Sequence, residues 1–144
     1  MLICGTAWAQ KQSSEQTASD TAKVEAPKDT LGRETPRGAV LGFLNAARKG
    51  NDEIAVLYLN TSLRGENAHT LVHQLAEVLN RKLPARLNEI SDKPEGSIPD
   101  PLKPDEDVIG TIGTADGDLD IVVERVDRGK MGLVWIFSRK SCSR

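Results

Sequence analysis

The sequence TPRGAVLGFLNAARKGND, residues 35–52, decides the fold, because the rest of the folded chain is expected to pack on it. Thr35 can cap a helix with its hydroxyl, and Pro36 suits the first helical position, where no backbone donor is needed. Apolar residues then recur at helical spacing and form one stripe: Val40, Phe43, Leu44 and Ala47. Gly50, which follows two basic residues, can adopt the left-handed conformation that ends a helix. The stretch therefore predicts a helix that stops at residue 50.

Two more helices are predicted after this one. A short helix should follow directly, capped by Asn51 or Asp52. Its inward-facing residues are expected to be Ile54, Leu57 and Tyr58. A longer helix is predicted from about residue 66 to residue 82, before Pro84. Its apolar residues recur at spacings of three and four: Ala68, Leu71, Val72, Leu75, Val78 and Leu79.

Three strands are predicted beyond a proline-containing loop over residues 92–107. They cover residues 108–114, 119–126 and 133–138. The Asp116-Gly117 dipeptide between the first two strands favours a tight hairpin turn. The last strand is apolar on both faces, so we expect it to be central in the sheet or covered on both sides.

This order of elements, helices first and an antiparallel meander afterwards, predicts an α+β fold. We expect an N-terminal helical hairpin plus a longer helix, packed on a C-terminal three-stranded antiparallel meander. Phe43, Leu75 and Trp135 should then share one dry interior, which would leave no room for a reactive centre.

The ends of the chain are expected to lie outside this domain. Residues 1–9 resemble a truncated signal-peptide remnant, because Ala7-Trp8-Ala9 fits the small-x-small rule for cleavage before the next residue. Residues 10–34 are polar and predict a disordered linker, since they cannot bury enough surface to offset their ordering entropy. The domain is expected to cover residues 35–140, with residues 141–144 as a tail.

The composition excludes some partners. A net charge of -2 provides no basic face for nucleic acid, and an aromatic content of 3% leaves few stacking platforms for bases. The two cysteines, Cys4 and Cys142, are too few for a disulfide framework. No apolar run in this sequence reaches the ~20 residues that span a bilayer. Membrane contact is therefore expected only through a segment beyond these residues.

Two groups of side chains have the spacing of metal ligands. His69 and His73 are four apart on the predicted long helix, but no third ligand accompanies them, so a polar helix face is the simpler interpretation. Asp116, Asp118 and Asp120 alternate like calcium ligands. The glycine that a calcium loop needs is absent, and strand alternation explains the same residues. We therefore expect no metal and no cofactor.

No arrangement in the sequence predicts catalysis. A mixed charge cluster near the second turn is expected to be a solvated turn: Arg125, Asp127, Arg128 and Lys130. Cys142 has no base near it in sequence, which gives little support to a nucleophile. The sequence therefore predicts a protein that is not an enzyme.

Short motifs spread over residues 31–139 carry a family resemblance. They are TPRG (35–38), GFL (42–44), AARKG (46–50), YLN (58–60), LPARLN (83–88), SDKPEG (91–96), DPLKPD (100–105), VERVDRG (123–129) and WIFSR (135–139). Together they resemble the N-terminal extramembrane region of bacterial MscS-like (small-conductance mechanosensitive) ion channel proteins. The motifs are structural rather than catalytic.

The resemblance implies a periplasmic domain that precedes membrane helices and a pore helix. It implies a non-catalytic role in assembly, positioning or sensing on the periplasmic side of the bacterial inner membrane. Because the chain stops before such a membrane region, ion conduction is not expected of these residues, and a homo-oligomer would form through the missing region. Trp135 and Phe137 on the last strand are the candidates for exposed contact residues.

Two other functions remain open from the sequence. Helices followed by a curved sheet also resemble the nuclear-transport-factor-2-like group, whose domains enclose a cone-shaped pocket. Tyr58 and His73 would be candidate polar groups in such a stand-alone ligand-binding domain. A periplasmic adaptor without any channel is the other alternative.

Overall fold

The computed structural model describes residues 29–83, 86–97 and 101–142. The predicted signal-peptide remnant over residues 1–9 lies outside the described residues. Residues 10–28 of the predicted linker and residues 143–144 of the predicted tail lie outside them as well.

The domain has the predicted α+β architecture. Its helices are α1 (Pro36–Arg48), α2 (Asp52–Val56), α3 (Gly65–Lys82) and the short α4 (Arg139–Cys142). Its strands are β1 (Glu106–Thr114), β2 (Gly117–Asp127) and β3 (Leu133–Phe137), with a 3-10 turn at Gly129–Met131. The strands pair antiparallel in the order β1-β2-β3. The prediction of helices followed by a three-stranded antiparallel meander is therefore confirmed.

The first helix begins and ends where the sequence predicts. The Thr35 hydroxyl accepts a hydrogen bond of 3.0 Å from the Gly38 amide, and Pro36 occupies the first turn. Gly50 has a φ of +70°, a left-handed conformation that favours glycine. Local chemistry alone was enough to locate this element.

The orientation of α2 differs from the prediction. Ile54 and Leu57, expected to face inward, are 40% and 52% exposed, whereas Ala55 and Tyr58 are buried. The helix has only five residues and the chain turns after Val56. Periodicity assigns a helix face over about 11–18 residues, so one short helix is too little to orient Ile54 and Leu57. The inward prediction for Tyr58 is confirmed.

The core lies between the helices and one face of the sheet. Phe43, Leu75 and Trp135 belong to the same cluster of buried residues, as predicted. The rings of Phe43 on α1 and Phe137 on β3 meet edge to face, with centroids 5.1 Å apart. This contact fixes α1 against β3.

Strand β3 lies at one end of the strand order, so the prediction that it could be central is wrong, while the alternative that it is covered is confirmed. Val134 and Ile136 on one face and Trp135 and Phe137 on the other are all fully buried. The free edge of β3 is capped by backbone bonds. The Trp135 amide donates to the Arg33 carbonyl over 2.7 Å, and the Phe137 amide donates to the Tyr58 carbonyl over 2.8 Å.

Both predicted domain boundaries need correction. The predicted linker is wrong for residues 29–34, because Asp29 and Arg33 are only 4% and 3% exposed. The predicted tail is wrong for Ser141, whose Oγ accepts from the Val122 amide over 2.7 Å. In both places polar side chains are held by specific partners, which composition alone does not reveal.

Gly42 on α1 provides the first test of this packing. A Cβ at Gly42 would lie 2.4 Å from Tyr58 Oη and 2.7 Å from two carbons of its ring. We expect Gly42→Ala to destabilise the domain in urea unfolding. Overpacking strain of about 1–3 kcal/mol should exceed the ~1 kcal/mol by which alanine favours a helix over glycine.

Asn45→Ala serves as the control for Gly42→Ala, because Asn45 is exposed on the same helix. It should leave stability unchanged or raise it slightly. A Gly42→Ala variant that is as stable as the parent chain would contradict the close approach of Tyr58 to α1.

Candidate functional site

At the N-terminal end of the described domain, Asp29 and Arg33 form a buried ion pair. The Arg33 Nε and Nη2 atoms donate to the two carboxylate oxygens of Asp29, each over 3.0 Å. The Arg33 amide also donates to Asp29 Oδ2 over 2.8 Å. Both side chains are almost fully buried. A two-pronged geometry of this kind gives strong, direction-specific charge-assisted hydrogen bonds.

The same arginine ties the entering segment to the rest of the domain. Arg33 Nη1 donates to the Leu57 carbonyl over 2.8 Å, and its guanidinium lies 5.9 Å from the centre of the Tyr58 ring. The Tyr58 hydroxyl donates to the Leu31 carbonyl over 2.7 Å. We call Asp29, Leu31, Arg33, Leu57 and Tyr58 the entry anchor.

Two ionisable groups of the entry anchor have shifted pKa values. Burial opposes ionisation of Asp29, but hydrogen bonds and charge from Arg33 outweigh burial and lower the pKa of its carboxyl. Burial raises the pKa of the Tyr58 hydroxyl above its ordinary value. The anchor therefore holds an ionised Asp29 and a neutral Tyr58 near neutral pH.

The residues that follow β3 make a second set of contacts with the sheet. After β3, the Ser138 amide donates to the Val122 carbonyl over 2.9 Å. Ser141 Oγ accepts from the Val122 amide and donates to the Val122 carbonyl over 3.1 Å. We call Val122, Ser138 and Ser141 the exit anchor. The entry anchor reaches β3 through Arg33, and the exit anchor reaches β2.

Trp135 and Phe137 are not exposed, so the prediction that they form an accessible contact surface is wrong. Both are 0% exposed. The Trp135 Nε1 atom donates to the Pro94 carbonyl over 2.9 Å, and the Arg125 guanidinium lies 5.7 Å from the ring centre. Neither ring can reach a partner while the domain keeps this packing.

The two histidines lie on α3 but bind separate carboxylates. His73 Nε2 lies 3.0 Å from Asp52 Oδ2, and His69 Nε2 lies 3.6 Å from Glu53 Oε1. Both carboxylates come from the start of α2, so the pairs join α2 to α3. Across the described ranges, no three histidine, cysteine or acidic side chains converge as a metal site would require.

Asp120 and Arg125, two of the charged residues in the hairpins, have structural partners. Asp118 and Asp120 lie on β2, and Asp120 accepts from the Thr111 hydroxyl over 2.7 Å. Arg125 does not belong to a solvated turn as predicted. It lies within β2, where its guanidinium donates to Asp105 over 2.7 and 2.9 Å. Strand geometry, which turns alternate residues to opposite faces, explains this placement.

Tyr58 and His73 do not share a pocket. Tyr58 is buried in the entry anchor, whereas His73 is exposed and lines a crevice of 450 Å³ between α1 and α3. This crevice lies outside the core, with Arg48 and Asn80 joined across it by a hydrogen bond of 3.0 Å. The geometry does not bring these two residues together as a cone-shaped pocket would require.

The entry anchor is the feature that the sequence analysis missed. The available signal was the spacing of four between Asp29 and Arg33 in an otherwise polar segment. That spacing is common on solvated surfaces, where such pairs contribute little. The Asp29–Arg33 pair is a specific contact because neighbouring residues bury both side chains, and the sequence spacing does not show this.

Within the part of the chain that the structure describes, no helix is both long and apolar enough to cross a bilayer. Comparisons of the chain with protein-family models, with curated proteins and with solved structures find no match. Function is therefore inferred from the chain's own motifs and from the two anchors.

Proposed function

We propose that this chain is a non-catalytic extramembrane domain of an MscS-like mechanosensitive ion channel protein. The support is the set of motifs over residues 31–139 that resemble the family's N-terminal region. On this proposal the domain lies on the periplasmic side of the inner membrane. Its role is to position neighbouring segments or to assist assembly, and its subunits form a homo-oligomer through a membrane region outside these residues.

The observation that carries the proposal is that both ends of the domain are anchored to one sheet. The entry anchor bonds Arg33 to Trp135 on β3, and the exit anchor bonds Ser141 to Val122 on β2. Paired strands and a buried ion pair resist displacement better than a flexible attachment does. A domain built in this way fixes where the chain enters and leaves, which suits a positioning role.

The buried polar groups also serve structure. Asp29 and Arg33 bind each other, and Asp107 accepts from the Ser97 hydroxyl over 2.7 and 2.6 Å. Ser138 Oγ accepts from the Lys140 amide over 3.4 Å. A catalytic site needs polar groups that converge on open space where a substrate can sit. Among the described residues, these four buried groups are instead turned toward protein partners.

The test uses the complete gene product reconstituted in liposomes and recorded under membrane tension. A complete protein that conducts, and whose gating tension or subunit assembly changes on removal of residues 29–142, would support the proposal. An exposed-site variant, Arg64→Ala, is the control and should behave like the parent protein, because Arg64 is exposed and precedes α3. A gene product without membrane helices would overturn the channel assignment.

A further inference from the structure

The outer edge of β1 carries backbone groups that no other strand pairs with in the described part of the chain. Strand β2 pairs with the inner edge of β1, and the free edge of β3 is covered by residues 33 and 58–60. β1 has nine residues, or about 30 Å of strand. Among the described residues, the β3 edge of the sheet is therefore covered by other backbone, whereas the outer β1 edge has no paired strand.

Residues 108–114 of β1, with the sequence VIGTIGT, contain no charged residue and no proline. Sheet edges are ordinarily protected from other chains by such residues, by shortness or by bulges. Strand β1 has one irregularity, between Val108 and Gly110, and its inner edge pairs regularly with β2 from there to Thr114. The edge beyond the irregularity is thus open to another strand.

The backbone amides of Thr111 and Gly113 are the donors at this edge. Thr114 pairs with Gly117 and closes the two-residue turn between β1 and β2. In an antiparallel ladder, alternate residues direct their backbone groups toward the neighbouring strand. Counting back from Thr114, the amides of Thr111 and Gly113 point away from β2.

A cleft runs beside this part of β1. Two crevices, of 190 and 270 Å³, share Arg86, Gly110 and Thr111 in their linings. Their other wall is formed by Lys82 and Leu83 at the end of α3, and by Arg86, Glu89 and Ile90 further along the chain. A strand lies about 4.8 Å from its neighbour in a sheet, so an added strand would lie along this cleft.

The charges of the larger crevice favour an acidic side chain of an occupant. The 270 Å³ crevice has Lys82 and Arg86, both exposed, and no carboxylate among its lining residues. Its apolar part is formed by Leu83, Ile112 and Ile121. The smaller crevice also has two carboxylates: Glu89, which is exposed, and Asp107, which accepts from Ser97. The acidic side chain of an occupant would therefore lie in the larger crevice, beside Lys82 and Arg86.

We infer that the outer edge of β1 binds an extended acidic segment of a partner polypeptide as an added strand. Backbone bonds to Thr111 and Gly113 supply the pairing, and Lys82 and Arg86 hold an acidic side chain of the partner. Apolar side chains at alternate positions contact Leu83 and Ile112. This inference goes beyond the proposed function and does not depend on the channel assignment.

A second copy of the domain fits this edge less well. Two copies that pair through β1 would be related by a twofold axis at the interface. Each copy would bring its own Lys82 and Arg86 to the shared cleft, where like charges repel. The charge pattern therefore favours a foreign acidic segment.

The binding test uses three fluorescein-labelled peptides of eight residues and the described domain in its full chain. The acidic probe alternates valine and threonine around two glutamates. The second probe has lysines in place of the glutamates, and the third is the acidic probe with alternate backbone amides methylated. In fluorescence anisotropy, the acidic probe should bind at least tenfold more tightly than the other two. Equal binding of the acidic and basic probes would overturn the inference.

Matched variants locate the binding to the β1 edge. Thr111→Pro removes the outward amide and should abolish binding, whereas Thr111→Val keeps the amide and should bind like the parent chain. The double change Lys82→Glu with Arg86→Glu should reverse the preference toward the basic probe. Arg81→Glu is the charge control, because Arg81 lines the crevice between α1 and α3 instead.

Circular dichroism checks that each variant is folded before its binding is compared. Unchanged binding by folded Thr111→Pro would overturn the inference. Analytical ultracentrifugation of the free chain tests the second copy as occupant. A dimer that Thr111→Pro dissociates would show that this edge pairs with itself, and would also overturn it.

Discussion

Replacing Asp29 with asparagine should lower the free energy of unfolding by about 3–5 kcal/mol at pH 7, the cost of breaking a buried ion pair. The substitution keeps the shape of the side chain but leaves the Arg33 guanidinium buried without its counter-charge. Both partners are at least 96% buried as side chains, so water cannot compensate. Urea unfolding followed by circular dichroism measures the change.

The pH dependence of this difference follows from the lowered pKa of Asp29. Because the native carboxyl binds its proton less readily than the unfolded one, the pair stabilises the native state above the ordinary aspartate pKa of about 3.9. That contribution is lost as pH falls through the native value. The gap between the parent chain and Asp29→Asn should therefore be constant from about pH 5 to pH 8 and shrink below about pH 4.

A paired replacement provides the control for Asp29→Asn. The double variant Asp29→Leu with Arg33→Met leaves no unpaired charge and should lose less stability than Asp29→Asn. It should still be less stable than the parent chain, because the Arg33 amide and the Leu57 carbonyl lose their side-chain partners. Asp29→Asn that costs less than ~0.5 kcal/mol, the range of surface substitutions, would contradict a buried entry anchor.

Replacing Trp135 with alanine should cost about 3–5 kcal/mol of unfolding free energy, the usual range for a core tryptophan. The ring is fully buried, and its Nε1 atom holds the Pro94 carbonyl. The variant therefore loses core packing and the shorter of two hydrogen bonds to the Pro94 carbonyl, which also accepts from Arg125 Nη1 over 3.4 Å. Thermal and urea unfolding measure the loss.

The stability of Trp135→Ala shows whether Trp135 is a core residue or an exposed contact residue. A Trp135 that served only as an exposed contact would change stability by no more than ~0.5 kcal/mol. Leu133→Ala is the matched control, because Leu133 lies on the same strand and is 56% exposed. A small loss for Trp135→Ala, comparable to that for Leu133→Ala, would contradict the observed packing of β3.

Capping, turn and apolar-spacing signals in the sequence predicted the helices and the hairpin whose ends depend on nearby residues. Thr35, Pro36 and Gly50 bound α1 correctly, and Asp116-Gly117 located the hairpin between β1 and β2. The stripe through Leu75 identified α3. In each case the deciding interaction joins residues within about one helical turn or one tight turn.

Exposure and pairing could not be predicted in the same way. The sequence predicts that Leu57 faces inward, whereas it is exposed. It gives two incompatible places for Trp135, the core and a contact surface, and only the core is confirmed. Helical and strand periodicity do not reveal which other elements cover a side chain. The covering of Trp135 depends on Pro94, 41 residues earlier in the chain. The polar composition of residues 10–34 predicts a linker that includes Asp29, because an average over a segment does not reveal one buried pair.

The sequence by itself determined the fold class, the ends of α1 and α3 and the hairpin, because backbone propensity and apolar spacing act over short distances. The tertiary structure alone decided that residues 29–33 belong to the domain, that β3 is capped at its edge and that no strand of the described residues pairs with the outer edge of β1. Those features depend on which distant groups exclude water from a given side chain, and chain topology rather than local composition determines that.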